Sequence, residues 1–438
     1  MDRKVLIVGS TPYNRNTPAR ALDAYFYGWS RECLSQIFSH PKKPAKGHCG
    51  QLYQITDKRM LQRHLNRTVQ VERQFCYEEL PDAWESNDRE VGKGVISKLY
   101  GLGSRNKTPF VYLARKVLWE RKLWCTDALN RWLDEFAPEC VFLCFSDDFF
   151  LPQIALYVAE RYNIPIVSCI GDDYYFNDKA SLSPLYYLYK HSYRKLIRKV
   201  FRHGGSAIYI SNKIRDKYNA EFGLNGQTVY LASEFERKDF VPISADNPVI
   251  SYFGNIRQGR NESLNEIGIA LGEINPEYKL NIYSGQTEQQ TISVFEHNPN
   301  VVFHGSIPYR EVIKKTRESD IVVIVEGFKP EHVSNTRYSL STKAADSLAS
   351  GAQIVVYGSS ECGVIEYMAG TDSAAVCTCR EDLTTCIRKL LEDEELQRQY
   401  YDNAVSVTKK NHNLQSSTAV SRDVIEKAIE EYGKKCCF

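Results

Sequence analysis

Short apolar runs of strand length alternate along this chain with segments of helical period. The first half holds such runs at residues 5–8, 141–145, 164–170, 207–210 and 228–231. Most are followed by a loop and then a helical segment. Strands that alternate with helices fold into parallel sheets with helices on both faces. The pattern therefore predicts a first α/β domain over residues 1–235.

The periodicity lapses from Ser233 to Pro248 and then resumes. Later apolar runs lie at residues 249–253, 280–283, 301–303, 321–325, 353–357 and 374–377. After Glu381 only helical periodicity remains. We therefore predict a linker at 236–248, a second doubly wound domain at 249–395 and a helical tail at 396–438.

Composition narrows the functional classes. The chain has 438 residues, more than the roughly 250 to 300 at which a single core stops growing, so two domains are expected. Its 56 Lys and Arg against 54 Asp and Glu give a net charge of +2, which argues against a nucleic-acid partner. The apolar runs are shorter than the roughly 20 residues of a membrane helix. Thirteen cysteines without a C-x-x-C pair indicate reduced thiols in the cytoplasm and no zinc site.

Ligands of parallel sheets bind beyond the carboxyl ends of the strands. The loop 255–261 follows the first strand of the second domain and contains Arg257 and Arg260. Guanidinium groups bind phosphate oxygens in bidentate fashion, so this loop is a candidate phosphate site. The alternative is a solvated turn in which the arginines pair with Glu262 or Glu266.

A stronger signal is the segment 338–351, YSLSTKAADSLASG, which is followed by a strand. Ser341 and Thr342 are good N-cap types, and the amides at the start of a helix suit a diphosphate. Lys343 adds a positive charge, and Asp346, one turn later, can accept hydrogen bonds from ribose hydroxyls. The alternative is an ordinary helix that ends at Gly351.

The first domain offers fewer candidates. Gly9 and Ser10 end its first strand, where an acceptor or donor would bind. Asp172, after the strand 164–170, is the carboxylate we expect to face the substrate. The pair Asp147 and Asp148 precedes a helical segment, so helix capping is the favoured interpretation there.

Two stretches, 105–124 and 186–203, combine aromatic and basic residues at helical spacing. They suit the surface of an anionic membrane, where a lipid-linked acceptor would be presented. The alternative, which we favour from sequence alone, is an aromatic stripe in the core with a solvated basic face.

The second domain resembles the donor domain of GT-B glycosyltransferases, specifically glycosyltransferase family 4. The likeness rests on a strand that ends in Gly254, a loop with basic residues, a helix that ends in Asp-Ser-Leu-Ala-Ser-Gly, and a strand followed by a Gly-Ser loop. It covers the second domain at the level of motifs and the first domain only as architecture. The branch it suggests builds capsule, lipopolysaccharide or other bacterial surface polysaccharides.

The resemblance implies two Rossmann-like domains facing a cleft and a helical tail. It implies transfer of a sugar from a nucleotide-sugar to a glycan or lipid-linked acceptor, with retention of configuration and without a metal or other cofactor. The cytoplasm, or the inner face of the membrane, is the expected location. The rival interpretations are a nucleotide-sugar 2-epimerase and a noncatalytic GT-B subunit.

Residue by residue, the resemblance assigns Arg260 to the basic residue of the donor loop and Asp346 to the ribose-binding acid. Lys343 matches the lysine that precedes that acid. With Asp172, the two cations are the expected catalytic residues. The family commonly has two glutamates with seven residues between them, whereas this chain has Tyr338 in place of the first and Asp346 in place of the second.

Glu326, directly after the strand 321–325, is the candidate for the missing carboxylate. A His-Asp pair that the family often places after a first-domain strand is replaced here by Gly171-Asp172-Asp173. The donor contact assigned to that histidine therefore has no counterpart in this sequence.

Overall fold

A computed structural model describes residues 2–13, 21–44, 47–80, 108–178, 181–233, 235–244 and 246–436. The chain divides into two compact units. The first comprises Met1–Tyr209, Arg215–Val229 and Thr418–Phe438, and the second comprises Ile210–Ile214 and Tyr230–Ser417. Each unit has a largely parallel β-sheet with helices between its strands, which confirms the predicted α/β fold class. The domain limits drawn from the sequence stay predictions.

The first unit contains an eight-stranded sheet in the order β4-β3-β2-β1-β5-β6-β7-β8. Its strands are β1 Val5–Gly9, β2 Leu34–Phe38, β3 Gln51–Ile55, β4 Glu72–Cys76, β5 Cys140–Cys144, β6 Ile166–Ile170, β7 Gly205–Tyr209 and β8 Gln227–Thr228. Neighbouring strands are parallel except β3 and β4, which pair antiparallel. The sequence pattern did not predict β2, β3 and β4.

Buried glutamines explain why β2 and β3 do not show the apolar pattern of a strand. Gln36 in β2 is fully buried; its Oε1 accepts a hydrogen bond from the Tyr13 amide at 2.9 Å, and its Nε2 donates to the Thr11 carbonyl at 3.1 Å. Gln54 in β3 donates to the His40 carbonyl in the same way. These polar side chains are tolerated in the sheet because they satisfy the backbone of nearby loops.

Helices follow most strands of the first half of the chain. Their bounds are Ala21–Phe26, Asp57–Leu65, Pro109–Leu118, Arg121–Trp124, Asp127–Phe136, Phe150–Tyr162, Pro184–His203 and Asn212–Phe222, with short 3-10 turns at Arg31–Cys33 and Tyr77–Glu79. The sequence at 85–110, with four glycines and no clear period, suggests an insertion or loop; residues 85–107 of it lie outside the described residues. In the described part of the chain, no helix has the length and apolar character that crossing a membrane requires.

The second unit contains six parallel strands in the order β11-β10-β9-β12-β13-β14. They are β9 Ile250–Phe253, β10 Leu280–Tyr283, β11 Val301–Gly305, β12 Ile321–Val325, β13 Gln353–Tyr357 and β14 Ala375–Cys377. The chain runs outward from β9 to β11 and then returns to β12 beside β9. Such a reversal opens a crevice at the carboxyl ends of the two central strands, where ligands of open α/β sheets bind.

Helices cover both faces of this sheet. Their bounds are Arg260–Ile274, Gln289–Ile292, Tyr309–Glu318, Pro330–Thr336, Thr342–Ser350 and Gly363–Ala369, with a 3-10 turn at Ser293–Phe295. Alternate residues of β12 enter separate apolar clusters: Val323 packs in one and Ile324 in the other. Helices Leu383–Glu392, Glu394–Asn411 and Leu414–Cys436 follow, so the predicted helical C-terminal region is confirmed.

Candidate functional site

A buried ion pair lies where the strand order of the second sheet reverses. Arg260 is the first residue of the helix after β9, and Glu326 directly follows β12. Arg260 Nη2 donates to Glu326 Oε1 at 2.8 Å, and the side chains are 14% and 4% exposed. Glu326 Oε2 and Arg260 Nε have no hydrogen-bond partner among the described residues. The pair therefore retains polar atoms for further contacts.

Lys343 lies close enough to this ion pair to interact with both of its charges. Its Nζ donates to the Tyr252 hydroxyl at 2.7 Å and lies 4.4 Å from the centre of that ring. The space it occupies exists because residue 254 is glycine: a Cβ there would lie 2.4 Å from Lys343 Cε and 2.7 Å from Nζ. Gly254 has φ +132°, which side chains rarely tolerate.

The electrostatics show that the three charges share one site. Burial and the Arg260 charge lower the pKa of Lys343 to about 7, while the Glu326 carboxylate acts in the opposite direction. The charged form of Lys343 is therefore disfavoured in this position until an anion binds beside it. The structure thus brings Arg260, Glu326 and Lys343 together, as the sequence predicted for the two cations, and it adds Tyr252, which the sequence did not single out.

The helix Thr342–Ser350, which we call the Thr342 helix, begins at this cluster. The Ser341 side chain accepts a hydrogen bond from the Lys343 amide at 3.3 Å and so caps the helix, as its residue type predicted. Gly351 ends the helix in the left-handed conformation, with φ +84°. The positive end of the helix thus adds to the two side-chain cations.

Other residues predicted for the donor site lie on the same unit but have protein partners. Asp346 Oδ1 accepts a hydrogen bond from Ser233 Oγ at 2.9 Å. The Tyr338 carbonyl accepts one from Ser211 Oγ at 2.7 Å. Thr342 is exposed at the first position of its helix. Their roles toward a ligand stay predictions.

Arg257 does not join the cluster. Its side chain is 56% exposed and forms an ion pair with Glu288. The alternative interpretation of the loop, in which its arginines pair with Glu262 or Glu266, is wrong: Lys329 pairs with Glu262, and the Tyr357 hydroxyl donates to Glu266.

His332 is a second residue that the sequence did not single out. It lies in the helix after Glu326, against the loop that precedes Arg260. A Cβ on Gly259 would lie 2.3 Å from His332 Nδ1, and a Cβ on Gly327 would lie 2.9 Å from it. Gly259 therefore admits the imidazole rather than a ligand, and Nδ1 has no hydrogen-bond partner among the described residues.

The first-unit candidates lie at the carboxyl ends of its strands. Gly9 ends β1, and the Ser10 carbonyl accepts hydrogen bonds from the Ser39 and His40 amides. Asp172 is exposed directly beyond β6. Its neighbour Asp173 instead accepts hydrogen bonds from nearby amides and a tyrosine hydroxyl.

Asp147 and Asp148 do not cap the helix that follows them, so the capping interpretation is wrong. That helix begins at Phe150, after Phe149, without a side-chain cap. Asp148 forms an ion pair with Arg115. Asp147 accepts a hydrogen bond from the Tyr112 hydroxyl at 3.2 Å. Among the described residues, no group of three or more His, Cys, Asp or Glu side chains is placed to hold a metal ion.

Comparison with known proteins gives no matching family model and no matching curated protein. Solved structures are similar over nearly the whole chain. Alr3699/HepE of Anabaena in complex with UDP has a TM-score of 0.59 at 11% identity and covers 97% of this chain and 100% of its own. Sucrose-phosphate synthase of Thermosynechococcus elongatus has 0.58 at 11% identity and covers 99% and 100%.

A glycosyltransferase of Rickettsia africae has a TM-score of 0.54 at 11% identity and covers 99% of this chain and 98% of its own. At such identities the likeness concerns the fold. This chain has the GT-B fold, as the sequence predicted. The narrower assignment to glycosyltransferase family 4 stays a prediction.

Proposed function

We propose that this protein is a glycosyltransferase that moves a sugar from a nucleotide-sugar donor to an acceptor hydroxyl. The observation that carries the proposal is the clustering of Arg260, Glu326 and Lys343 at the switch point of the second sheet, beside the start of the Thr342 helix. A diphosphate needs concentrated positive charge with amide donors, and this is where the second unit supplies both.

The same groups suit the chemistry of glycosyl transfer. Negative charge grows on the diphosphate as the glycosidic bond breaks. Lys343 and Arg260 stabilise that charge in a site of low dielectric, without a metal ion. Glu326 holds the Arg260 guanidinium in place by its 2.8 Å contact, and its buried Oε2, which has no partner among the described residues, accepts a hydrogen bond from a hydroxyl of the donor in this proposal.

The nucleoside binds further along the Thr342 helix in this proposal. Asp346 lies one turn beyond Lys343 and accepts hydrogen bonds from the ribose hydroxyls, with Tyr338, Ser341 and Thr342 nearby in sequence. In the first unit, the acceptor hydroxyl meets Gly9, Ser10 and Asp172 at the strand ends. The reaction retains the anomeric configuration.

For the biological role, we propose surface polysaccharide synthesis, such as capsule or lipopolysaccharide. The acceptor is then a glycan or a lipid-linked glycan, and the enzyme works in the cytoplasm at the inner face of the membrane. UDP is the first nucleotide to test, because similar folds have been solved with UDP and UDP-glucose in Alr3699/HepE.

The test is turnover of a panel of UDP-, GDP- and dTDP-sugars with and without a membrane extract that supplies acceptors. We expect nucleotide release that depends on Lys343 and a sugar that appears on the acceptor. Transfer at the wild-type rate by Lys343→Ala would contradict the proposed site. A sugar that is altered with donor alone would identify an epimerase, and no binding of any nucleotide would identify a noncatalytic subunit.

A further inference from the structure

Two helices of the first unit present apolar side chains to solvent. The helix Pro109–Leu118 buries none of its residues, and Phe110 and Val117 are 65% and 69% exposed. Leu182, just before the helix Pro184–His203, and three residues of its first turns are also exposed apolar residues. The docking face consists of these six side chains: Phe110, Val117, Leu182, Leu185, Tyr187 and Leu188.

The two helices form one rigid support. The Tyr112 ring stacks on the Tyr189 ring with centroids 4.8 Å apart. The Tyr189 ring is also stacked with the Tyr193 ring, with centroids 5.9 Å apart. Tyr189 and Tyr193 are buried. These ring contacts fix the positions of the two helices, so the exposed apolar side chains project from a packed support.

The longer helix continues the apolar start with a line of positive charge. Leu188, Lys195 and Arg202 are seven residues apart, so they lie on one side of the helix. The span Pro184–His203 contains six Lys and Arg residues and no Asp or Glu, whereas the entire chain has a net charge of only +2. An apolar tip beside a cationic stripe is the pattern of helices that lie on anionic membranes.

We propose that the docking face binds the surface of a bilayer that contains anionic phospholipid. Its apolar side chains enter the boundary between headgroups and acyl chains, and Lys195 and Arg202 contact lipid phosphates. A second copy of this chain is a poorer occupant, because a symmetric contact would set the two cationic helices against each other. The inference rests on the proposed function in one respect only: docking would bring a lipid-linked acceptor to the first unit.

The location suits that purpose. The docking face begins at Leu182, in the segment that leaves the carboxyl end of β6, and Asp172 follows the same strand. The candidate acceptor residues and the apolar start of the helix therefore belong to the same edge of the first sheet. A lipid-linked glycan held at the membrane would reach these strand ends directly.

The test is sedimentation of the full-length protein with sucrose-loaded vesicles at low ionic strength and without substrate. Vesicles contain either phosphatidylcholine alone or phosphatidylcholine with phosphatidylglycerol. We expect at least about tenfold stronger partitioning onto the anionic vesicles. The double variant Lys195→Gln/Arg202→Gln should weaken it by about fivefold for each removed charge. Leu185→Ser/Leu188→Ser should weaken it by about tenfold or more.

Matched controls lie in the second unit. Val241 is 71% exposed, and Lys409 and Lys410 are exposed on another helix. Val241→Ser and Lys409→Gln/Lys410→Gln should bind vesicles like the wild type. The proposal would be overturned if the protein bound both vesicle types equally, or if the docking-face variants bound vesicles like the wild type. It would also be overturned if the wild type were a dimer and the docking-face variants were monomers.

Nucleotide binding measured on the same preparations separates this inference from the proposed function. Loss of vesicle binding with intact nucleotide binding shows that the change in a docking-face variant is confined to the first unit and supports the inference. A wild type that binds nucleotide but ignores anionic vesicles overturns the docking face and leaves the donor site standing.

Discussion

Arg260 Nη2 and Glu326 Oε1 lie 2.8 Å apart at the reversal of the second sheet, and both side chains are almost fully buried. A buried ion pair adds little to the net stability of a protein. Removal of one partner is nevertheless costly, because the other charge is then buried without compensation. Arg260 is therefore both a candidate phosphate ligand and a structural residue, and its variants affect folding as well as binding.

Arg260→Ala is expected to lower the free energy of unfolding by about 3 to 5 kcal/mol, because the Glu326 carboxylate is left buried without its partner. Arg257→Ala removes a similar arginine whose pair with Glu288 is exposed, and it should cost much less stability because water screens that pair. Urea unfolding measures both. Equal losses for the two variants would contradict the buried ion pair.

The lowered pKa of Lys343 makes donor binding dependent on pH. Its pKa of about 7 means that the free protein loses the ammonium charge as the pH rises through 7. Affinity for UDP-glucose should therefore fall above pH 7, approaching about tenfold for each pH unit. UDP-glucose is the right probe, because the terminal phosphate of UDP itself titrates at about pH 6.

Lys343→Arg is the control for this dependence. Arginine keeps its charge at every pH of the experiment, so the variant's affinity profile should be flat between pH 6 and pH 9. A flat profile for the wild-type protein would mean that Lys343 does not bind the diphosphate as an ammonium.

Gly254→Ala tests the geometry that holds Lys343. The new methyl group would occupy the space of Lys343 Cε and Nζ, so we expect the ammonium to move and UDP affinity to fall about tenfold or more. The φ of +132° should add a loss of stability of about 1 kcal/mol. Gly433→Ala, at a position with open space in the helix Leu414–Cys436, should leave UDP affinity unchanged and should not lower stability, because alanine favours a helix more than glycine does. Unchanged nucleotide affinity in Gly254→Ala would refute the arrangement.

The sequence predicted the parts of this site that depend on local chemistry. Ser341 as cap, the extent of the Thr342 helix and Gly351 at its end follow from residue preferences within a few positions. Lys343 and Arg260 were also expected together, because loops that follow parallel strands meet at one edge of a sheet.

The sequence did not identify the partners that come from distant strands. Tyr252 looks like any aromatic residue of a buried strand, and only the fold places its hydroxyl 2.7 Å from Lys343 Nζ. Likewise, β2 and β3 were not predicted, because Gln36 and Gln54 interrupt their apolar pattern. The hydrogen bonds that these glutamines form with loop carbonyls and amides leave no pattern in the sequence.

Asp346→Asn tests the ribose contact separately from the diphosphate contact. We expect about tenfold or more weaker binding of UDP, because hydrogen bonds to a carboxylate are stronger than those to an amide. Inorganic pyrophosphate, which lacks ribose, should bind both proteins equally. Ser233→Ala removes the hydrogen bond at 2.9 Å to Asp346 Oδ1 and should have a smaller effect. If Asp346→Asn lost affinity for pyrophosphate and for UDP equally, the prediction would be wrong: Asp346 would then contact the phosphates or support the structure, and would not contact the ribose.

The most direct test is calorimetric titration of UDP and GDP into the wild-type protein and Lys343→Met. Methionine preserves much of the lysine side chain but removes a charge that burial disfavours, so the variant should remain folded. We predict that the wild type binds one of these nucleotides and that Lys343→Met binds it at least about tenfold more weakly, while Lys409→Gln is unchanged. Equal affinity of wild type and Lys343→Met, or no binding of any nucleoside diphosphate by the wild type, would contradict the proposed donor site.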